Sequence, residues 1–361
     1  MNAPLDYGKI ANSILKEIKA KHKMRDEAFY YLRSILGNAN WALFYLLLGG
    51  RQAGKSYSVT EYFVKQWKKY RTPCYWIRLK ENATKKLLSN NAEKLVDPDI
   101  RRKYHMDLTT KGNVVYDHGK KWATVLALST FYSDKGNAMY DKDFLILNPK
   151  KQYLIALDEF QPEKGERSQG DIAYQFVNQL ENILRNTKER TKIFLIANTL
   201  EEASDILCLF NFIPEEFGRY KLKSKRAVID YMEPTEAYKK MRKGSIMDLL
   251  APDSSNATNK ITIDKSLILK TRNYSKPKAL IIFDKDRKDA KFLLYDNGLI
   301  DEYKNQPVNN IIAMRPYQDQ IFNPEMRDEI FITFYQRCYK FRNLITFKRF
   351  QHFLQELKPS K

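Results

Sequence analysis

Long apolar runs are missing from this chain of 361 residues. The longest uninterrupted one, Trp41 to Leu48, has eight residues. A bilayer-spanning helix needs about 20, so no span is expected, and since nothing strongly amphipathic accompanies the basic charge, no membrane partner is expected. The N-terminus has no apolar signal region, and secretion is not expected. Cysteine is scarce. Cys74, Cys208 and Cys338 lie far apart, which excludes zinc spacing and a disulfide framework and suits a reducing compartment. Internal repeats and low-complexity tracts are absent. Acid is short relative to base, with 43 Asp and Glu against 63 Lys and Arg, a formal charge of +20. Such an excess favours a polyanionic partner, either nucleic acid or an anionic surface. Hydrophobic residues at 43% and aromatics at 13% exclude a disordered chain. The length suits roughly two domains.

The pattern along the chain predicts an α/β domain with a mainly parallel sheet. Residues 10–36 carry apolar residues at helical spacing. Leu43 to Leu48 reads as a strand buried on both faces. A helix is expected from Ser56 to about Tyr70, and further strands at Cys74–Leu79, Val114–Tyr116, Trp122–Ser129, Tyr153–Leu157 and Lys192–Ala197. Ala173–Arg185 reads as helix. Residues 1–200 are thus expected to form one domain with a helical extension over 1–40. Residues 201–255 are basic and read as a connecting or lid segment. Residues 256–361, with short strands followed by helix, form a smaller second domain.

Gly49-Gly50-Arg51-Gln52-Ala53-Gly54-Lys55-Ser56 fits G-x-x-x-x-G-K-[ST] completely, with a strand before it and a helix after it. In such a loop the glycines let backbone N–H groups turn inward around phosphate. Lys55 is expected to reach the β- and γ-phosphates of ATP, and the Ser56 hydroxyl to sit on Mg²⁺. The apolar strand Tyr153–Leu157 ends in Asp158 and Glu159. Asp158 suits Mg²⁺ support and Glu159 suits a general base for the attacking water. Asn198, at the end of the next apolar strand, is placed to sense the γ-phosphate. Arg51, Arg78, Lys135, Arg185 and Arg190 are candidate cations for the transition state, although each also reads as a solvated or dipole-complementing residue. Positive charge concentrates in three windows. Residues 65–86 hold eight Lys/Arg against one Glu, 217–243 hold nine against three acids, and 9–25 hold six against one. These can track a phosphate backbone without reading bases.

The order Gly49–Ser56, Trp122, Ser133-Asp134-Lys135-Gly136-Asn137-Ala138, Asp158-Glu159-Phe160, Leu184-Arg185-Asn186, Asn198 and Phe210-Asn211-Phe212-Ile213-Pro214 resembles the DNA-encapsidation ATPase of small, protein-primed tailed phages. The likeness covers about residues 40–235. It implies a terminase-like P-loop motor of the ASCE class that packages double-stranded DNA through the capsid portal, acting as a homo-oligomeric ring, a pentamer by the resemblance. Lys55 and Ser56 then bind nucleotide, Asp158 holds Mg²⁺ and Glu159 is catalytic. Arg185 matches an arginine finger reaching the neighbouring subunit, and Lys135 a second cation across that interface. Arg78 matches an arginine ending the strand after the first helix, and Asn198 a coupling motif. The stretch after Arg185 is one residue longer than the family pattern, which leaves Arg190 unassigned. The resemblance further implies a second domain of ribonuclease-H-like fold without nuclease chemistry, docking to portal, DNA or a structural packaging RNA. Work in the host cytoplasm, transiently at the procapsid portal vertex, follows from it. Two other readings share the nucleotide site: another ring-forming P-loop DNA motor or helicase, and a packaging terminase whose nuclease is active. The latter needs converging carboxylates, for which Asp264, Asp284, Asp286, Asp289 and Asp296 are available.

Overall fold

The central strands of the larger sheet are apolar at almost every position, and their burial follows from that. In the computed structural model, β1 (Phe44–Leu48), β6 (Tyr153–Asp158) and β7 (Thr191–Ala197) are buried along almost their whole length, as strands covered on both faces must be. The structure describes residues 16, 27–133, 152–161, 171–184, 191–198, 204–252, 266–269, 276–316 and 322–357. They divide into two compact units. The first comprises Met1–Glu201 and Pro214–Ile261, the second Glu202–Ile213 and Thr262–Lys361.

The first unit is a mixed α/β structure around one large sheet. Its further strands are β2 (Cys74–Arg78), β3 (Leu108–Lys111), β4 (Val114–Asp117), β5 (Lys120–Ala127), β8 (Gly218–Leu222) and β9 (Ala227–Tyr231). The nine strands are ordered β3-β4-β5-β2-β6-β7-β1-β9-β8. The run from β5 to β9 is parallel throughout, while β3, β4 and β8 pair antiparallel at the edges. The helices are α1 (Arg33–Asn38), α2 (Lys55–Tyr70), α3 (Glu81–Ala92), α4 (Pro98–Tyr104) and α5 (Ile172–Leu184). After α6 (Asp205–Leu209), which belongs to the second unit, come α7 (Glu236–Arg242) and α8 (Ile246–Leu250). Among the described residues no helix is long and apolar enough to cross a membrane.

Two expectations differ from what is observed. Residues 29–32, expected inside one long helix, are not helical. Their backbone is used elsewhere: the Tyr30 N–H donates to the Ala53 carbonyl at 2.8 Å, and the Ser58 hydroxyl donates to the Tyr30 carbonyl at 2.6 Å. Within 201–255, expected as a connecting segment, β9 is buried at all five positions and lies beside β1 in the sheet. Its sequence Ala-Val-Ile-Asp-Tyr is that of a core strand. The lysines and arginines nearby sit on β8 and its turn, where charge on an edge strand blocks pairing with another sheet.

The second unit holds a smaller sheet made of β10 (Ala279–Ile282), β11 (Lys291–Leu294), β12 (Leu299–Glu302), β13 (Ile311–Ala313) and β14 (Lys340–Phe341). Its five strands are ordered β13-β10-β11-β12-β14. Helices α6, α9 (Pro324–Tyr335) and α10 (Leu344–Leu357) belong with it. Its core is aromatic. Phe350 lies within 5.1–5.8 Å, ring to ring, of Phe283, Phe292, Phe334 and Phe341. The segment around α6 is tied in by Arg349, which donates to Asn211 Oδ1 at 2.6 Å and pairs with Glu302 at 2.6 Å.

One buried carboxylate fixes the far edge of the large sheet. Asp117 accepts from Trp67 Nε1 at 2.7 Å, from Lys68 Nζ at 2.8 Å and from the Asp107 N–H at 3.0 Å, and meets His118 Nδ1 at 2.9 Å. Burial pushes its pKa up, but the bonds from Lys68, Trp67, His118 and the Asp107 N–H outweigh burial and hold it below the usual carboxylate range. Asp117→Ala leaves the Trp67 indole and the Asp107 amide without their acceptor, at an expected cost of about 2–4 kcal/mol in urea unfolding. The folded pKa is depressed, so this contribution is present above the unfolded value of about 4 and fades as pH falls through the lower folded value. A loss below about 0.5 kcal/mol would contradict this account.

Candidate functional site

The parallel strands bring the ends of β1, β6 and β7 side by side, where α/β sheets place ligands. The loop between β1 and α2 needs two residues in the left-handed region, Gln52 with φ 62° and Gly54 with φ 78°. Gly54 also has little room for a side chain, since a Cβ there would stand 3.2 Å from Phe29 Cβ. The Lys55 side chain folds back over the loop and donates to the carbonyls of Gly49 at 2.9 Å and Gly50 at 2.6 Å. Burial lowers its pKa to about 8, against the opposing pull of Asp158 and Glu159. A desolvated cation held by two carbonyls at the N-terminus of a helix is a site made for an anion.

Asp158 ends β6 with one oxygen toward each neighbour. The Ser56 hydroxyl donates to Oδ1 at 3.0 Å, and Arg78, the last residue of β2, donates to Oδ2 at 2.7 Å. Arg78 also bonds Glu159, the next residue. Glu159 has φ 56°, an unusual conformation for a residue with a side chain. Behind it the Phe160 N–H donates to the Ile196 carbonyl at 3.2 Å, which clips this turn to β7. Strain of this kind persists only where the surroundings over-determine it.

A cleft of about 380 Å³ results, lined by Arg51 to Tyr57, by Asp158 and Glu159, and by Ile196, Ala197 and Asn198. The sequence-predicted residues Arg51, Gln52, Ala53, Gly54, Lys55, Ser56, Asp158, Glu159 and Asn198 therefore meet in one place. Gly49 and Gly50 hold Lys55, and Arg78 reaches the two acids. Lys135, Arg185 and Arg190 lie outside the described residues. Three participants carry no signal in the sequence. Tyr57 lines the cleft, while Tyr30 and Tyr238 hold the outer side of the loop, Tyr238 Oη donating to the Arg51 carbonyl at 2.6 Å. No spacing rule links a tyrosine to a loop 187 residues away.

Comparison with known proteins agrees with this architecture. The family model described as podovirus DNA encapsidation protein (Gp16) matches residues 24–348. The DNA packaging protein of Bacillus phage phi29 is 22% identical over 231 residues, 63% of this chain and 64% of that protein. The chain thus matches somewhat under two thirds of the length of these curated relatives. Among solved structures, the phi-28 gp11 DNA packaging motor matches with a TM-score of 0.68 at 16% identity, covering 92% of this chain and 99% of that one. The bacteriophage phi-29 viral genome packaging motor assembly matches with a TM-score of 0.62 at 19% identity, covering 92% and 100%. At such identities the structural likeness concerns the fold.

The loop geometry yields a direct test. Gly54→Ala adds a Cβ against Phe29 at a positive φ, a strain of about 1–2 kcal/mol. ADP binding, measured by calorimetry, is expected to weaken about 5- to 30-fold. Unchanged affinity would show that the left-handed Gly54 is not required for the cleft.

Proposed function

The chain belongs to the podovirus DNA encapsidation protein (Gp16) family, and on that footing we propose that it is an ATP-driven motor that packages double-stranded DNA into a preformed capsid through the portal. The observation that carries this reading is the convergence of Lys55, Ser56, Asp158, Glu159 and Asn198 on one cleft at the strand ends. The β7 strand stands between the loop strand β1 and the Asp158 strand β6, which supports an ATPase of the additional-strand, catalytic-glutamate (ASCE) class.

The roles follow from chemistry. The loop amides and Lys55 bind the phosphates, and the low pKa of Lys55 reflects a charge that gains most from an anionic partner. The Ser56 hydroxyl and the Asp158 carboxylate are hard oxygen donors already 3.0 Å apart, a donor set that fits Mg²⁺. When bound there, Mg²⁺ supplies charge neutralisation at the β- and γ-phosphate oxygens. Glu159 orients the attacking water and accepts its proton, once it leaves its bond to Arg78. Asn198, at the end of β7 and within the cleft, registers the γ-phosphate.

The reading extends to the assembly by family resemblance. The chain works as a ring, a pentamer, in which Arg185 and Lys135 of one subunit complete the site of the next. It acts in the host cytoplasm at the procapsid portal vertex. The second unit is proposed to be a ribonuclease-H-like docking domain for portal, DNA or a structural packaging RNA. Three antiparallel strands, β10 to β12, with β13 parallel to β10 on the other side, support that fold. Its acids favour docking over cleavage. Asp284 caps its own turn through the Asp286 N–H, and Asp289 pairs with Arg287. Among the described residues none of Asp284, Asp286, Asp289 and Asp296 joins a cluster fit for a metal, and Asp264 lies outside them.

Two substitutions test the reaction. Lys55→Ala is expected to abolish ATP turnover together with nucleotide binding. Glu159→Gln is expected to retain binding and lose turnover by about 10²–10⁴-fold. Turnover in the wild-type protein should rise with double-stranded DNA and empty capsids. Turnover retained in either variant would refute the assignment.

A further inference from the structure

A loop that turns its amides inward to phosphate must turn carbonyls outward, and those carbonyls need donors. Here the donors come from two segments remote in sequence. The Ala53 carbonyl receives the Tyr30 N–H at 2.8 Å. The Arg51 carbonyl receives the Tyr238 hydroxyl at 2.6 Å. Tyr238 is buried, 2% exposed, and it packs with Ala53 of the loop and Ala28 in a small apolar cluster. It therefore grips the back of the loop at two places, one polar and one apolar.

The same residue is built, through its backbone, into the start of a basic helix. Its N–H donates to Thr235 Oγ1 at 3.1 Å, the N-cap of α7. Its oxygen accepts from Arg242 Nη1 at 2.8 Å, four residues on. A phenol has one proton, so a hydroxyl that accepts from a guanidinium and donates to a carbonyl has its hydrogen fixed in direction. The helix behind it carries Lys239 and Lys240 on exposed positions, followed by Lys243. Thr235 Oγ1 also donates to the Glu27 carbonyl at 3.2 Å, tying the helix start to the strap that holds Ala53.

We propose that Tyr238 is a positioning residue that couples the phosphate loop to α7, so that the placement of this basic helix follows the occupancy of the nucleotide cleft. This rests on the reading of the cleft as an ATP site. An occupant that rotates the peptide planes of residues 50–53 turns the Arg51 carbonyl with them, and the bond to Tyr238 carries that rotation to the helix. Coupling of this kind is reciprocal: whatever holds α7 in place also holds the loop in its binding form. The ligand of α7 that benefits is a polyanion, since lysines on its exposed positions are what the coupling moves.

Tyr238→Phe isolates the hydroxyl, because the ring stays on Ala53. The experiment measures ADP affinity, and amide hydrogen exchange over residues 236–242 without ADP and at saturating ADP, in the full chain and in the variant. In the wild type, ADP is expected to slow exchange in α7. In Tyr238→Phe, ADP is expected to bind about three- to tenfold more weakly, the worth of one hydrogen bond, and its effect on α7 exchange to disappear even at saturation. A purely structural role for Tyr238 would lower stability with and without ADP alike and leave the ADP-dependent difference in exchange intact, which would overturn the proposal. Wild-type protein that binds ADP with no change in α7 would overturn it equally. Failure of the wild type to bind ADP at all would instead remove the ATP-site reading, and the coupling with it.

Discussion

The first unit is organised around a single carboxylate. Asp158 is buried, and each of its oxygens has a donor from a different element: Ser56 from the first turn of α2, Arg78 from the end of β2. A lone carboxylate in this position would cost several kcal/mol, so neither partner can be lost without penalty. The consequence is that the ends of β6 and β2 and the start of α2 are held together by polar contacts at the point where the apolar sheet gives way to the cleft. Arg78 then reaches one residue further and holds Glu159. The arginine thus links the residue suited to metal support with the one suited to activating water, and a positive φ at Glu159 is the local cost of that arrangement.

The loop between β1 and α2 needs comparable support on its other side. A loop with so few side chains to hold itself needs outside contacts, and here Gln52 and Gly54 both stand in left-handed conformations. The structure compensates with Phe29, Tyr30 and Tyr238, which cover the loop from behind. Tyr30 is anchored in turn. Its hydroxyl donates to Asp230 of β9 at 2.8 Å, and Asp230 pairs with Arg219 of β8 at 3.0 Å. Burial and the Asp230 charge hold the Tyr30 phenol well above its ordinary pKa, so it remains a donor. The antiparallel pair β8 and β9 is therefore part of the loop's scaffold, linked to it through one tyrosine.

That dependence explains which parts are legible in the sequence. The loop, the strands β1, β6 and β7, and the acids at 158 and 159 follow from local rules: an apolar run, a glycine pattern, an acid at a strand end. The expected helix is broken at residues 29–32 because Tyr30 is recruited by Ala53 and Ser58, contacts that no periodicity reports. Composition hides the strands β8 and β9. Lys221, Lys223, Lys225 and Arg226 make the segment read as a solvated connector, although Ala227–Tyr231 is apolar enough for a core strand. Arg78 is one of several candidate cations in the sequence, distinguished by family resemblance, and its two carboxylate partners emerge only when β2 is seen beside β6.

The chain path adds a constraint that length and composition could not supply. After β7 and Asn198 the chain gives Glu202–Ile213 to the second unit, returns at Pro214 to build β8 and β9, and leaves again at Ile261. Neither unit is one continuous stretch. A cut near residue 255, where the polar turn-rich sequence invites one, would leave α6 without the helix that packs on it, α10, and without the partners of Asp205 and Asn211, Lys348 and Arg349. Residues 204–213 are thus tied to the second unit through α10, Lys348 and Arg349. Covalent order therefore joins the Asn198 end of the cleft to the second unit, and the pairing of β9 with β1 joins the loop after β1 to the chain that leads into α7.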